Sequence, residues 1–135
     1  MITHLSHTTI FVNNQDDALK FYTAKLGFIV KSDVRMGEFR WLTVSPPHQK
    51  EVELVLMEPK AGPMLDPESA RKIQELLQAG RLGGGVFGTD DCAKTYEELK
   101  AKGVEFLQPP TERPYGVEAL LKDSSGNWFS LTQAK

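Results

Sequence analysis

The chain has 135 residues, of which 40% are hydrophobic and 25% charged, proportions typical of a compact globular domain. A net charge of −2 without a dense stripe of lysine and arginine argues against nucleic acid as a partner, and no apolar run reaches the ~20 residues of a membrane-spanning helix. The single cysteine, Cys92, excludes an intrachain disulfide, and no signal-peptide pattern is present, so we expect a cytoplasmic protein.

The first part of the chain is predicted to form a strand, a helix and three further strands. Alternation of side-chain types over residues 3–12 predicts the first strand. Asn14, Asp16 and Asp17 are suited to begin a helix over about 16–26, and Gly27 is suited to end it. The remaining strands are predicted over 28–36, 40–46 and 51–57.

Residues 58–82 form the predicted connector, which is rich in proline and glycine at its start and holds a short helix over 68–79. A second set of elements follows, in which Asp90 or Asp91 caps the helix. Pro109, Pro110 and Pro114 are predicted to bound a loop. The predicted elements are a strand over 84–89, a helix over 91–102, and strands near 104–107, 115–123 and 127–133.

The second set repeats the first. Residues 11–28 read FVNNQDDALKFYTAKLGF, and residues 87–106 read FGTDDCAKTYEELKAKGVEF. Each copy has a strand, an acidic turn, an amphipathic helix, a glycine and another strand. The pattern predicts an α+β fold in which residues 1–135 form one domain from two βαβββ modules, 1–57 and 83–135. Such a pair of modules can enclose a ligand pocket.

Four segments resemble the vicinal oxygen chelate superfamily, which includes glyoxalase I, extradiol dioxygenases, fosfomycin resistance proteins and bleomycin-binding proteins. They are HTTIFV at 7–12, ALKFYTAKLGF at 18–28, YEELKAKGVEF at 96–106 and KDSSGNWFSL at 122–131. The resemblance implies that each module curls into half of an open barrel with its helices outside. It also implies that a metal, where a member holds one, lies inside on four strands.

The metal pattern of this superfamily matches the chain at two of its four positions. His7 and Glu53 fall on the first two positions, whereas Gly84 and Ser130 fall on the third and fourth. Glycine has no side chain to offer, and a neutral hydroxyl is a poor ligand beside imidazole and carboxylate. The resemblance therefore implies no tightly bound metal here, although His7 and Glu53 can hold a divalent ion weakly.

Each candidate site residue has a functional and a purely structural interpretation. His7 is a polar group of a ligand cavity or a hydrogen-bonded core histidine, and Glu53 is its catalytic partner or a solvated carboxylate. Gly84 leaves room for a ligand or allows close strand approach. Glu118 is a further carboxylate whose facing the pattern leaves open. Alternation along the strands places four further candidate ligand-binding residues in the cavity: Thr9, Phe11, Trp128 and Ser130. The rings of Phe11 and Trp128 either stack on a ligand or simply pack in the protein.

Two functions from different classes remain open. The first is a metal-independent protein that binds a small organic molecule, as the bleomycin-binding branch does. The second is a metal-assisted lyase, isomerase or dioxygenase in which His7 and Glu53 are catalytic. An open half-barrel leaves an apolar face and strand edges that a second copy can cover, so we expect a homodimer in either case.

Overall fold

The computed structural model describes all residues, Met1–Lys135, and divides into two compact units, Met1–Glu75 and Leu76–Lys135. Each unit contains one four-stranded sheet. The elements of the first are β1 (His7–Phe11), α1 (Gln15–Lys20), β2 (Ile29–Met36), β3 (Phe39–Ser45) and β4 (Glu53–Met57). Helix α2 (Pro67–Gln78) crosses the division. The second unit continues with β5 (Gly83–Gly88), α3 (Cys92–Ala101), β6 (Phe106–Arg113), β7 (Gly116–Lys122) and β8 (Trp128–Ala134).

The two sheets share one topology. Their strand orders are β1-β4-β3-β2 and β5-β8-β7-β6, with the first pair of each sheet parallel and the others antiparallel. Neither sheet closes into a barrel. The predicted α+β fold with two βαβββ modules is therefore confirmed. None of the helices has the length and apolar character needed to span a bilayer.

The helix predicted over 16–26 is present but changes its winding part of the way along. Asn14 caps α1 by accepting a hydrogen bond from the backbone N–H of Asp17 at 2.9 Å. A π-helical turn, Phe21–Lys25, continues the helix. Gly27 then adopts a φ of 74°, the left-handed conformation that a glycine provides after a helix.

Two strand boundaries differ from prediction by four residues or more, whereas the others differ by two at most. β1 begins at His7 rather than residue 3 because its partner β4 begins at Glu53, opposite His7. β6 extends through Pro109 and Pro110, although the sequence predicts that these prolines bound a loop. The prolines are tolerated because β6 is an edge strand, and its ladder with β7 shifts register between Gln108 and Thr111.

The register of the first sheet assigns its side chains to two faces. On one face Ile10, Leu42, Leu54 and Leu56 are buried with Ala18 of α1. The opposite face, called the His7 face below, carries His7, Thr9 and Phe11 of β1, Trp41 and Thr43 of β3, and Glu53, Val55 and Met57 of β4. This division follows from the alternation of side chains along each strand.

Candidate ligand-binding site

A polar cluster lies at one end of the His7 face. His7 and Glu53 are opposite each other in the parallel ladder, and His7 Nε2 lies 3.4 Å from Glu53 Oε2. The hydroxyl of Thr43 donates to the other oxygen, Oε1, at 2.7 Å. The side chains of His7 and Glu53 are 38% and 22% exposed, so an approaching molecule can reach both.

The imidazole of His7 is held from two sides. Its Nδ1 lies 2.9 Å from the hydroxyl oxygen of Ser6, and its ring centroid lies 5.8 Å from that of Trp41. A proton on Nε2 satisfies both polar contacts, since the Ser6 hydroxyl can then donate to Nδ1. Strand β4 lies between β1 and β3, so the two rings approach each other across it, and Val55 between them is 3% exposed. The rings of His7 and Trp41 thus offer an aromatic surface next to the carboxylate of Glu53.

The other two candidates on β1 share this face. Thr9 is exposed and Phe11 is half-buried. Thr9 is opposite Val55 and Phe11 is opposite Met57 in the ladder, so β1 continues the face away from the polar cluster. The structure thus brings four predicted residues, His7, Thr9, Phe11 and Glu53, onto one sheet face.

In the second unit, Ser130 is hydrogen-bonded to the carboxylate of Glu118. Ser130 is buried, and its hydroxyl donates to Glu118 Oε2 at 2.7 Å. Tyr115 donates to Oε1 of the same carboxylate at 2.8 Å. These two hydrogen bonds hold the pKa of Glu118 below its usual value, and the same carboxylate raises the pKa of Tyr115.

The hydroxyl hydrogens of this second cluster point in one direction. The single hydrogen of Ser130 is used on the ionised Glu118, so the contact of 2.7 Å between Ser130 and Thr132 requires Thr132 to donate to Ser130. The Thr132 oxygen, at the end of this series of hydrogen bonds, therefore presents lone pairs rather than a hydrogen. Such an end accepts hydrogen bonds from a partner.

Trp128 occupies the register position in the second sheet that Glu53 occupies in the first. The two parallel ladders can be aligned by placing the pair of Phe11 and Met57 on the pair of Gly88 and Thr132. Counting back along β4 and β8 then aligns Glu53 with Trp128. A Cβ added to Gly83 would lie 2.8 Å from the indole ring, so the ring lies against the glycine backbone. Trp128 remains 39% exposed. Where the first sheet has a histidine and a carboxylate, the second has glycine and an aromatic ring.

Gly84 leaves room for a protein side chain. A Cβ added there would lie 2.2 Å from Cζ of Phe129, a buried ring stacked on Phe87 with a centroid distance of 4.4 Å. The space at the third metal position is therefore filled by the core.

The donors present do not fit a tightly held metal ion. Nowhere in the chain do three or more histidine, cysteine, aspartate or glutamate side chains lie together in a group that could bind one. His7 and Glu53 supply two donors, and one Glu53 oxygen already accepts from Thr43. Structural and catalytic zinc sites use three or four protein ligands.

The sequence pattern identified the candidate site residues but not the residues that hydrogen-bond to them. Alternation along β3 groups Trp41 with Thr43, but only the pairing of β3 with β4 shows that Thr43 reaches Glu53. Glu118 was recognised without its facing, and Tyr115, which follows Pro114, gave no signal. The one available clue was that Glu118 alternates with Val117 and Ala119 and so points away from them.

Three known proteins illustrate what the chain is similar to. The crystal structure of UcmS2 is 46% identical, with a TM-score of 0.91 over 99% of this chain and 100% of that chain. The crystal structure of TnmS3, an antibiotic binding protein from Streptomyces sp. CB03234, is 28% identical, with a TM-score of 0.78 over 99% and 98%. The uncharacterized protein YurT of Bacillus subtilis (strain 168) is 40% identical over 93% of this chain and 95% of its own length.

The family model that matches the chain covers residues 4–131, nearly its whole length. It extends over both sheets, from the segment just before β1 into β8. The chain therefore belongs to the Glyoxalase/Bleomycin resistance protein/Dioxygenase superfamily.

Proposed function

We propose that the protein binds a small organic molecule on the His7 face and does so without a tightly bound metal. The observation that carries the proposal is the partly exposed cluster of His7, Glu53 and Thr43 next to the ring of Trp41. Ring surfaces supply apolar contact area, and a carboxylate with a histidine fixes the orientation of a polar group. The similarity to TnmS3, an antibiotic binding protein, supports the same class of function.

Binding can be tested by thermal unfolding in the presence of a panel of antibiotics. A compound present at 100 times its Kd stabilises the folded state by about 2.7 kcal/mol, which is a clear rise in Tm. We expect at least one compound to raise the Tm of the wild type and to lose this effect in His7→Ala and Glu53→Gln. Glu51→Gln is the matched control, because Glu51 is an exposed carboxylate two positions earlier. A shift equal in all four proteins would place binding elsewhere, and no shift with any compound would count against the proposal.

Two donors are the reason for proposing no tightly bound metal. Water can complete the coordination of an ion at His7 and Glu53, but such a site is expected to exchange its metal freely. Elemental analysis of protein purified without chelator should therefore find less than one transition metal ion per chain after dialysis. One ion per chain that survives dialysis and is lost in His7→Ala would contradict the proposal.

That contrary result would favour the second candidate, a metal-assisted lyase, isomerase or dioxygenase. The observation on its side is the 3.4 Å approach of His7 Nε2 to Glu53 Oε2, which suits a base and the group that orients it.

We also propose that the protein is a homodimer. The exposed apolar side chains of the first sheet include Ile29, Val34, Met36 and Phe39, each at least 40% exposed. They lie on β2, an edge strand, and at the start of its neighbour β3. Met36 and Phe39 are opposite each other in the ladder, and neighbouring exposed apolar side chains at a sheet edge are typical of an interface. Light scattering should give the mass of a dimer, and a monomer mass over a wide dilution range would refute this.

A further inference from the structure

A cavity lies at the far end of the His7 face, where the strands meet the segment after β4. Its volume is about 380 Å³, within the size range of small-molecule sites. Phe39 and Met57 line it from the sheet, and the following segment contributes Ala61, Pro63, Met64 and Leu65. Its contacts with a bound group would therefore be largely apolar.

Three of the four charged groups at this cavity, Arg40, Glu58 and Lys60, have charged or hydrogen-bonded partners, and the fourth, Glu38, is exposed. Arg40 donates to Asp16 at 2.6 Å and to Asp33 at 2.8 Å. Glu58 accepts from the backbone N–H of Gln15 at 3.0 Å and lies 3.3 Å from Nζ of Lys60. A ligand that placed a charge here would have to compete with these contacts, whereas an apolar group would not.

The cavity meets the far end of the His7 face through Phe39 and Met57, while Arg40 and Gln15 line it from the side of α1. Met57 lies two positions beyond Val55, which lies two beyond Glu53, and on β3 the residues Phe39, Trp41 and Thr43 follow the same alternation. Four residue steps along β4 lead from Glu53 to Met57, a distance of about 13 Å.

We infer that the ligand is an elongated amphiphile with a hydrogen-bond donor at one end. The donor binds Glu53 beside His7, the body of the molecule lies along Trp41, and the apolar end fills the cavity between Phe39, Met57 and Leu65. This inference rests on the proposed function and names the class of molecule for it. A short polar molecule would use only the His7 end of the site.

Primary alkylamines of two lengths provide the test, with affinities measured by calorimetry. Butylamine reaches only the polar end, whereas decylamine is long enough to enter the cavity. Each methylene that leaves water is worth about fourfold in affinity, so burying half of the additional carbons makes decylamine about 60-fold tighter. Leu65→Trp and, as a second variant, Ala61→Trp should abolish most of this gain because the added indole fills the cavity. Leu107→Trp, at an exposed position of β6, is the control and should keep the gain.

The polar end is tested separately. Glu53→Gln should weaken both amines by the same factor. If Glu53→Gln changes neither amine, the proposed function is wrong at its polar end, and the amphiphile inference fails with it. If Glu53→Gln weakens both but decylamine gains nothing over butylamine, or keeps its gain in both cavity-filling variants, the proposed function stands and the cavity assignment is overturned.

Discussion

The packing of Gly84 against Phe129 predicts that adding one methyl group to β5 destabilises the protein. In Gly84→Ala the new Cβ would lie 2.2, 2.3 and 2.8 Å from three carbons of the Phe129 ring. Real Cβ atoms essentially never approach other atoms within 3.0 Å, so either the ring or the strand must move. The ring is 1% exposed and stacks on Phe87 with an interplanar angle of 13°, so it has no free side to move into.

The expected cost follows from overpacking. Forcing an extra methyl into a well-packed core typically costs about 1–3 kcal/mol, and the absence of free space around Phe129 favours the upper half of this range. Gly88→Ala on the same strand is the control. A Cβ there meets nothing within 4 Å and its φ is not positive, so the change should stay within about 0.5 kcal/mol.

A double-mutant cycle measured by urea unfolding tests the reasoning. Phe129→Ala alone should cost about 3–5 kcal/mol because it leaves a cavity. In that background Gly84→Ala should cost little, since the ring it collides with has gone, so the two substitutions should couple by about 1–3 kcal/mol. Wild-type stability of Gly84→Ala, or an equal cost in both backgrounds, would refute the assignment of this space to Phe129. If Phe129→Ala does not fold, Phe129→Leu gives the same cycle with a smaller expected coupling.

Two other predictions concern Asp33 and Cys92, which do not line the proposed site. Arg40 donates two hydrogen bonds to Asp33 and keeps the pKa of that carboxyl below its ordinary 3.8. A carboxyl group whose pKa is lower in the folded state stabilises the protein at any pH above its unfolded-state pKa, and this stabilisation is lost as the pH falls through its folded-state pKa. Asp33→Asn should therefore cost up to about 1 kcal/mol in urea unfolding at neutral pH and progressively less below pH 3.8. An equal cost of Asp33→Asn at neutral pH and below pH 3.8 would contradict this prediction. Cys92 is fully buried and burial raises its pKa, so a thiol reagent should label it slowly in the folded protein and at once in denaturant; rapid labelling of the folded protein would show that the residue is accessible.

The repeat made the fold predictable. Strand alternation and acidic helix starts occur twice along the chain, and both copies form the same sheet order. Asn14 and Asp91 cap their helices, and Gly27 has the positive φ expected after a helix. These are local effects, which a short stretch of sequence is sufficient to specify.

The errors occurred where a neighbouring strand decides the outcome. Pro109 and Pro110 lie within β6 because it is at the edge of its sheet, and edge position is not written in the local pattern. The same holds for the site: the alternation that identified His7 and Glu53 does not contain the register that brings Thr43 to the carboxylate. Ladder register depends on residues far apart in the chain.

The structure also changes what is expected of an attempt to rebuild the metal site. From the sequence alone, Gly84→His and Ser130→Glu are expected to supply the two absent donors and to complete the set. A histidine at position 84 has its Cβ inside the space of Phe129 and adds an imidazole to the same core. A glutamate at position 130 replaces the hydroxyl that donates to Glu118 and sets a second carboxylate beside it, which like-charge repulsion disfavours. We therefore expect the double variant to lose stability rather than to gain zinc affinity. Calorimetric zinc titration together with urea unfolding would decide the matter, and a stable double variant that binds zinc tightly would show that β5 can move away from Phe129. In the second module the ring of Phe129 fills the space beside Gly84, so placing a donor there requires repacking the sheet.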